Sequence, residues 1–178
     1  RKGFRCSTAV GYLNPVKKRK NLKVITKAHV KNIEFENNKA VAINYWINNN
    51  LIKAKANAEI ILSAGSIGSP HILQASGVGP GNLLKKYNIN IVKDHNFVGK
   101  NLQDHLMLRP VYKVKNIYTL NKLYYSYFEK MKAGLNFFFF RRGPLTMGAS
   151  QLCGFTKSDE NFATPNLQYH VAPMSTDK

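Results

Sequence analysis

The residues with the clearest chemical potential lie in the segment 58–80. An apolar run at 60–62 is followed at 64–66 by three small residues, which let a backbone approach a ligand closely. Ser69 has the chemistry of a helix N-cap, and Pro70 suits the first position of a helix. A helix that begins there would direct free N–H groups and about half a positive charge toward an anion. The pattern therefore predicts a strand at 60–62, a glycine turn, and a helix from Ser69 or Pro70 that can hold an anionic group such as a phosphate.

Residue patterns on either side predict the elements that would position this turn. The runs at 30–35, 40–46 and 51–55 are rich in β-branched and aromatic residues, and asparagine-rich corners separate them. Such corners are typical of β-hairpins, so we expect a meander that begins near 24–25 and leads into the strand at 60–62. Gly77 is expected to end the helix that follows. The remaining predicted elements are helices at 7–16, 83–87 and 121–140, and strands at 89–92, 151–155 and 167–171.

The segment from Gly65 to Gly79 also resembles the second signature of the glucose-methanol-choline (GMC) oxidoreductases, flavoenzymes that oxidise alcohols and sugars with FAD. The constrained positions of that signature are filled in order by Gly65, Ser66, Ser69, Pro70, Ile72, Leu73, Ser76, Gly77, Val78 and Gly79. With ordinary residue usage, such a match arises by chance at about 10⁻⁸ per starting position.

Further stretches resemble other landmarks of the family in the same order along the chain. Residues 5–26 resemble the segment before the strand that contacts adenine, and 98–105 are similar to the family's Gly-x-Asn-Leu-x-Asp-His block. Residues 143–146 and 165–170 resemble landmarks of the substrate domain in the insect glucose dehydrogenase branch. The resemblance covers nearly the whole chain and is weakest at 116–142.

The resemblance implies an α/β fold, with α+β character in the second part. Residues 1–108 would be the central part of a Rossmann-like FAD-binding domain with a β-meander, and 109–178 the beginning of a substrate-binding domain, both incomplete. Neither the family's Gly-x-Gly-x-x-Gly fingerprint nor its catalytic His with a partner His or Asn is found in the 178 residues. We therefore expect a central fragment of a longer protein, with no catalytic residue of its own and inactive by itself.

Five residues are predicted to bind FAD through this resemblance: Val30, Ala64, Gly65, Ser66 and Asn101. The backbone of Val30 would meet the adenine edge, although any buried strand valine would look the same. The residues at 64–66 would lie near FAD, or could simply turn the chain. Asn101 would lie near the flavin; alternatively, the neighbouring Asp and His at 104–105 could cap a helix and satisfy a backbone carbonyl.

The implied function is an FAD-dependent oxidoreductase that acts on CH–OH donors by hydride transfer to the flavin. The expected substrate is a small alcohol or sugar, and the likeness to the insect glucose dehydrogenase branch implies a quinone or dye as electron acceptor. That branch also suggests a secreted or extracellular protein, although the residues themselves indicate no compartment. A catalytically inactive relative kept as a binding protein is an alternative.

Composition offers one competing interpretation. The net charge of +18, from 27 Lys and Arg against 9 Asp and Glu, would also suit a basic nucleic-acid-binding protein. The basic residues form one tight run, at 17–20, and the aromatic residues near 124–128 have the mixed helical spacing of a core, so we favour a solvated basic surface. The longest apolar stretch, 135–140, is too short to span a bilayer. Neither the two cysteines nor the histidines at 29, 71, 95 and 170 have metal-ligand spacing, so no metal site is expected.

Overall fold

A computed structural model describes residues 2–148 and 150–175 of the chain. Its helices are α1, a π-helical turn at Ala9–Leu13 that continues at Asn14–Val16, then α2 (Gly65–Ala75), α3 (Gly81–Lys86), α4 (Leu120–Tyr125) and α5 (Tyr127–Phe140), with a 3₁₀ turn at Pro144–Thr146. Its strands are β1 (His29–Glu36), β2 (Lys39–Ile47), β3 (Asn50–Lys55), β4 (Val78–Gly79), β5 (Lys93–Asp94), β6 (Leu152–Thr156) and β7 (Leu167–Val171). The elements form two compact units: 23–107, and the described residues of 1–22 together with those of 108–178.

The 23–107 unit is built on an antiparallel sheet in the order β1-β2-β3. Both hairpins have two-residue turns, Asn37-Asn38 and Asn48-Asn49, and all four asparagines have positive φ. This is the backbone of type I′ turns, which match the right-handed twist of the flanking strands. The predicted meander is therefore confirmed. Its predicted beginning at 24–25 is wrong, because the first ladder pair is His29 with Trp46.

Helix α2 packs against β1 and completes the small core of this unit. Ile33 of β1, Ala42 of β2 and Leu84 of α3 are buried. Because sheet residues alternate between two faces, the cross-strand pair of Ile33 and Ile43 lies on the face that meets α2, and Ala42, which pairs with Glu34, lies on the opposite face.

The segment before α2 differs from the prediction. Residues 60–62 pair with no strand among the described residues, so they form an extended approach to the helix rather than a strand of a sheet. An apolar run indicates burial, but a strand also requires a neighbour to satisfy its backbone groups. The helix begins at Gly65, not at Ser69 or Pro70, which lies inside it. The predicted end is confirmed, since Gly77 follows the helix with a φ of +88°.

Two short strands follow α2, and they correct a second prediction. β5 lies at Lys93–Asp94, after the segment 89–92 that was expected to form the strand. It pairs in parallel with β4, and the N–H of Val92 already donates to the carbonyl of Gly77 at 2.8 Å. The position of β5 is therefore set by where the chain meets β4. The apolar residues at 89–92 do not indicate where that contact occurs. The helix predicted at 83–87 is confirmed as α3.

In the other unit, the predicted helix at 121–140 is divided into α4 and α5 at Ser126. The backbone of Ser126 is extended, and its hydroxyl accepts the N–H of Glu129 at 3.3 Å as the N-cap of α5. The Ser-x-x-Glu spacing is the sequence signal for this break. The predicted helix at 7–16 and the strands near 151–155 and 167–171 are confirmed, and β6 and β7 pair antiparallel.

The aromatic residues of α4 and α5 do not form the core that their spacing indicated. Tyr127 is 84% exposed and Phe138 is 68% exposed. Ala133 is the buried apolar residue of α5. None of the described helices is long and apolar enough to cross a membrane.

Candidate functional site

Gly65 is the point at which the extended segment turns into α2. Its φ is +84°, a conformation that costs a glycine nothing and strains residues with a side chain. A Cβ built at Gly65 would have no atom within 4 Å apart from those of its chain neighbours and the backbone of its own helix. The turn therefore needs glycine for its backbone, and the face on which a side chain would stand is open.

Ser69 supports this turn from inside the helix. Its hydroxyl accepts the N–H of Ala64 at 3.0 Å, and Ala64 is the N-cap residue of α2. The residue type of Ser69 suggested an N-cap, and that prediction is wrong. Ser69 nevertheless stabilises the start of the helix. Pro70 has no N–H to donate to the carbonyl of Ser66, so the helix continues without this one hydrogen bond.

The approach to α2 forms one wall of an apolar hollow of about 260 Å³. Strands β1 and β2 and helix α2 supply the rest. Its lining residues are Val30, Ile33, Ile43, Ile60, Ile61, Leu62, Ser63, Ala64 and Ile72. None of these side chains titrates, so the hollow suits an apolar or flat aromatic group rather than an ion.

The hollow brings together two of the sequence-predicted site residues, Val30 and Ala64, which are 34 positions apart. Gly65 and Ser66 follow Ala64 directly at the N-terminal end of α2. The N–H groups in the first turn of a helix have no partners within the helix, so this end can donate hydrogen bonds to an anion. An apolar hollow beside a glycine turn and a helix N-terminus fits a ligand with both a ring and a phosphate.

A β-bulge next to Val30 is a feature that residue patterns did not indicate. The register of β1 against β2 shifts between Val30 and Asn32, so Lys31 is the extra residue. β1 is also an edge strand of its sheet. A bulge leaves the extra residue without ladder partners, so backbone groups directly beside Val30 lie outside the ladder and could meet a ligand.

Asn101 is exposed, has a φ of +57°, and does not line the hollow. The chain just before it is tied to α2, because the side-chain amide of Gln74 donates to the carbonyl of Val98 at 2.9 Å. The structure therefore groups Val30 and Ala64–Ser66, and leaves Asn101 on a separate loop. Asp104 accepts the N–H of the adjacent His105 and caps no helix.

The charged side chains that interact within the sheet lie outside the lining of the hollow. Glu34 of β1 forms an ion pair with Lys53 of β3 and accepts a hydrogen bond from the side chain of Asn44 at 2.8 Å. The hydrogen bond from Lys53 and that from Asn44 lower the pKa of Glu34 below its ordinary value. This cluster orders the three strands and adds no charge to the lining of the hollow.

Known proteins resemble this chain both in sequence and in fold. A sequence model of the GMC oxidoreductase family matches residues 1–107. The oxygen-dependent choline dehydrogenase of Pectobacterium atrosepticum is 40% identical over 174 residues, which are 98% of this chain and 31% of that protein. An FAD-dependent oxidoreductase from Chaetomium thermophilum has a TM-score of 0.73 at 25% identity, over 82% of this chain and 26% of that one.

A formate oxidase from Aspergillus oryzae gives a similar result, with a TM-score of 0.74 and 25% identity over 87% of this chain and 27% of the other. The chain spans about a third of the length of the curated relatives that it matches. These proteins match its sequence and its fold through both of its units.

Proposed function

Since the chain belongs to the GMC oxidoreductase family, we propose that the complete protein is an FAD-dependent oxidoreductase that oxidises the CH–OH group of a small alcohol. The observation that supports this most directly is the junction of the apolar hollow with the Gly65 turn and the start of α2. It offers a neutral surface for a ring and backbone donors for a phosphate, as FAD requires. When bound, FAD supplies the acceptor for the hydride that leaves the alcohol carbon.

In this proposal, the residues of the chain bind and orient the cofactor. The backbone beside Val30 meets the adenine edge, where the bulge and the strand edge leave polar groups accessible. The small residues Ala64, Gly65 and Ser66 let the cofactor approach the helix end without steric conflict. Asn101 is kept as a candidate near the flavin, on the loop that Gln74 holds against α2.

We assign no catalytic residue to the described chain. Alcohol oxidation needs a base to remove the hydroxyl proton as the hydride leaves. The family resemblance places that base in a C-terminal His pair. We also keep the proposed division into a cofactor part at 1–108 and a substrate part at 109–178.

The identity of the substrate and of the electron acceptor is a more specific part of the proposal, and two alternatives are kept. The choline dehydrogenase similarity favours an amino alcohol, whereas residues 143–146 and 165–170 resemble the insect glucose dehydrogenase branch and favour a sugar with a quinone acceptor.

The test is to purify the complete protein, release its cofactor for identification, and measure oxidation of choline, simple primary alcohols and glucose. Each substrate is offered with oxygen and, separately, with a quinone or dye. We expect released FAD and turnover of one of these alcohol classes. Bound FAD without turnover of any of them would favour an inactive, binding relative, and a flavin-free folded protein would refute the proposal.

A further inference from the structure

Ser76, at the C-terminal end of α2, has a buried hydroxyl group. Only 7% of the residue is exposed. Its Oγ accepts the backbone N–H of Ile33 in β1 at 2.8 Å and donates to the carbonyl of Ile72, one helical turn earlier. A single hydroxyl therefore links a strand to a helix 43 positions away in sequence.

The two residues that Ser76 links both line the apolar hollow. Ile33 contributes to the sheet wall, and Ile72 contributes to the helix wall. Because β1 is an edge strand, the N–H of Ile33 has no ladder partner on its outer side and depends on this hydroxyl. The hydrogen bonds of Ser76 therefore fix the distance between the two walls.

We propose that Ser76 is a positioning residue that sets the width of the hollow and so its fit to a flat ring of FAD. This inference rests on the proposed function. Since no side chain that lines the hollow titrates, the fit depends on shape rather than on charge. A small change in wall spacing would then weaken dispersion contacts across the whole ring face.

Ser76→Ala removes both hydrogen bonds while keeping nearly the same volume. It leaves the buried N–H of Ile33 without a partner, so β1 is expected to shift relative to α2. Ser76→Thr keeps the hydroxyl and tests for rescue. Ser126→Ala is the matched control, because it also removes a serine hydroxyl that accepts a backbone N–H, but at the N-cap of α5 in the other unit.

The experiment measures the FAD dissociation constant of the complete protein after cofactor removal, together with the visible circular dichroism of the bound flavin. We expect Ser76→Ala to raise the dissociation constant about tenfold and to change the flavin spectrum. Ser126→Ala should lower the unfolding temperature while its dissociation constant stays within about twofold of the parent's. Ser76→Thr should recover the parent flavin spectrum.

Three results would overturn the inference. The first is a parent-like dissociation constant and flavin spectrum in folded Ser76→Ala. The second is an equal loss of affinity in Ser126→Ala, which would indicate a general effect of stability. The third is a parent protein that binds no FAD, and this alone would also refute the proposed function. If Ser76→Ala does not fold, Ser76→Cys, which keeps the size and weakens the hydrogen bonds, is judged by the same criteria.

Discussion

Gly65 and Gly77 both have positive φ, at the two ends of α2, yet their surroundings differ. A Cβ at Gly65 would meet open space, whereas one at Gly77 would collide with the backbone carbonyl of Asn90. Gly65 therefore shapes a surface that a ligand can approach, and Gly77 lets two segments of the protein pack together.

Replacing Gly65 with Val in the complete protein should abolish flavin retention while leaving folded material. Its two methyl groups would stand where the cofactor approaches, and the positive φ would add about 1–2 kcal/mol of strain. The measurement is the flavin-to-protein ratio in material with native circular dichroism. Gly77→Val is the comparison, and it should lose folded protein instead. A parent-like ratio in Gly65→Val would remove Gly65 from the cofactor site.

Glu34 leads to a pH prediction. Its lowered pKa means that the ionised form contributes stability above its ordinary pKa, and that this contribution is lost as the pH falls through the folded-state value. Glu34→Gln should therefore be less stable than the parent at neutral pH, and the difference should shrink as the pH falls below the ordinary pKa of a glutamate side chain. Unfolding temperatures across this range provide the check.

Glu36→Gln is the control for Glu34, since Glu36 lies on the same strand and its carboxylate forms no ion pair within residues 2–148 and 150–175. A difference between parent and Glu34→Gln that does not depend on pH would contradict the role given to the Lys53 and Asn44 partners.

Among the elements, the β1–β2 hairpin depends on the backbone of its turn. Asn38 has a φ of +64°, which asparagine adopts more easily than β-branched residues. Asn38→Gly should preserve or raise stability, and Asn38→Val should lower it by about 1–2 kcal/mol. Denaturant unfolding of the complete protein measures both. Asn50→Val, at the beginning of β3, is the control, because Asn50 has a strand backbone and valine favours strands. Equal losses of stability in the two valine variants would argue against the turn as the cause.

Helix α2 connects the parts of the candidate site. Its N-terminus carries the Gly65 turn, Gln74 holds the loop before Asn101, and Ser76 holds the strand that contains Val30. The signature from Gly65 to Gly79 therefore has a packing role in addition to the ligand role proposed for it.

For the whole molecule, the charge of +18 predicts a salt-dependent attraction to polyanions. If the basic residues form a solvated surface, duplex DNA should bind without sequence preference at roughly 10⁻⁴ to 10⁻⁶ M near physiological salt, and the affinity should fall steeply as salt rises. Fluorescence anisotropy with two unrelated duplexes across a salt series measures this. Tight binding that distinguishes the duplexes at physiological salt would support the nucleic-acid alternative instead.

The sequence by itself determined the family, the asparagine turns and most of the helices and strands, because these depend on local residue types and spacing. The type I′ corners follow from asparagine's tolerance of positive φ, and the signature is a contiguous run. The break at Ser126 was not predicted, although the Ser-x-x-Glu capping spacing is a local signal for it.

Only the tertiary structure decided the features that depend on distant neighbours. The segment 60–62 has the composition of a strand but no ladder partner within the described chain. The bulge at Lys31 and the link from Ser76 to Ile33 likewise arise from pairing and packing between segments far apart in sequence. Such hydrogen bonds carry no local periodicity, and for that reason the walls of the hollow were visible only once the chain was folded.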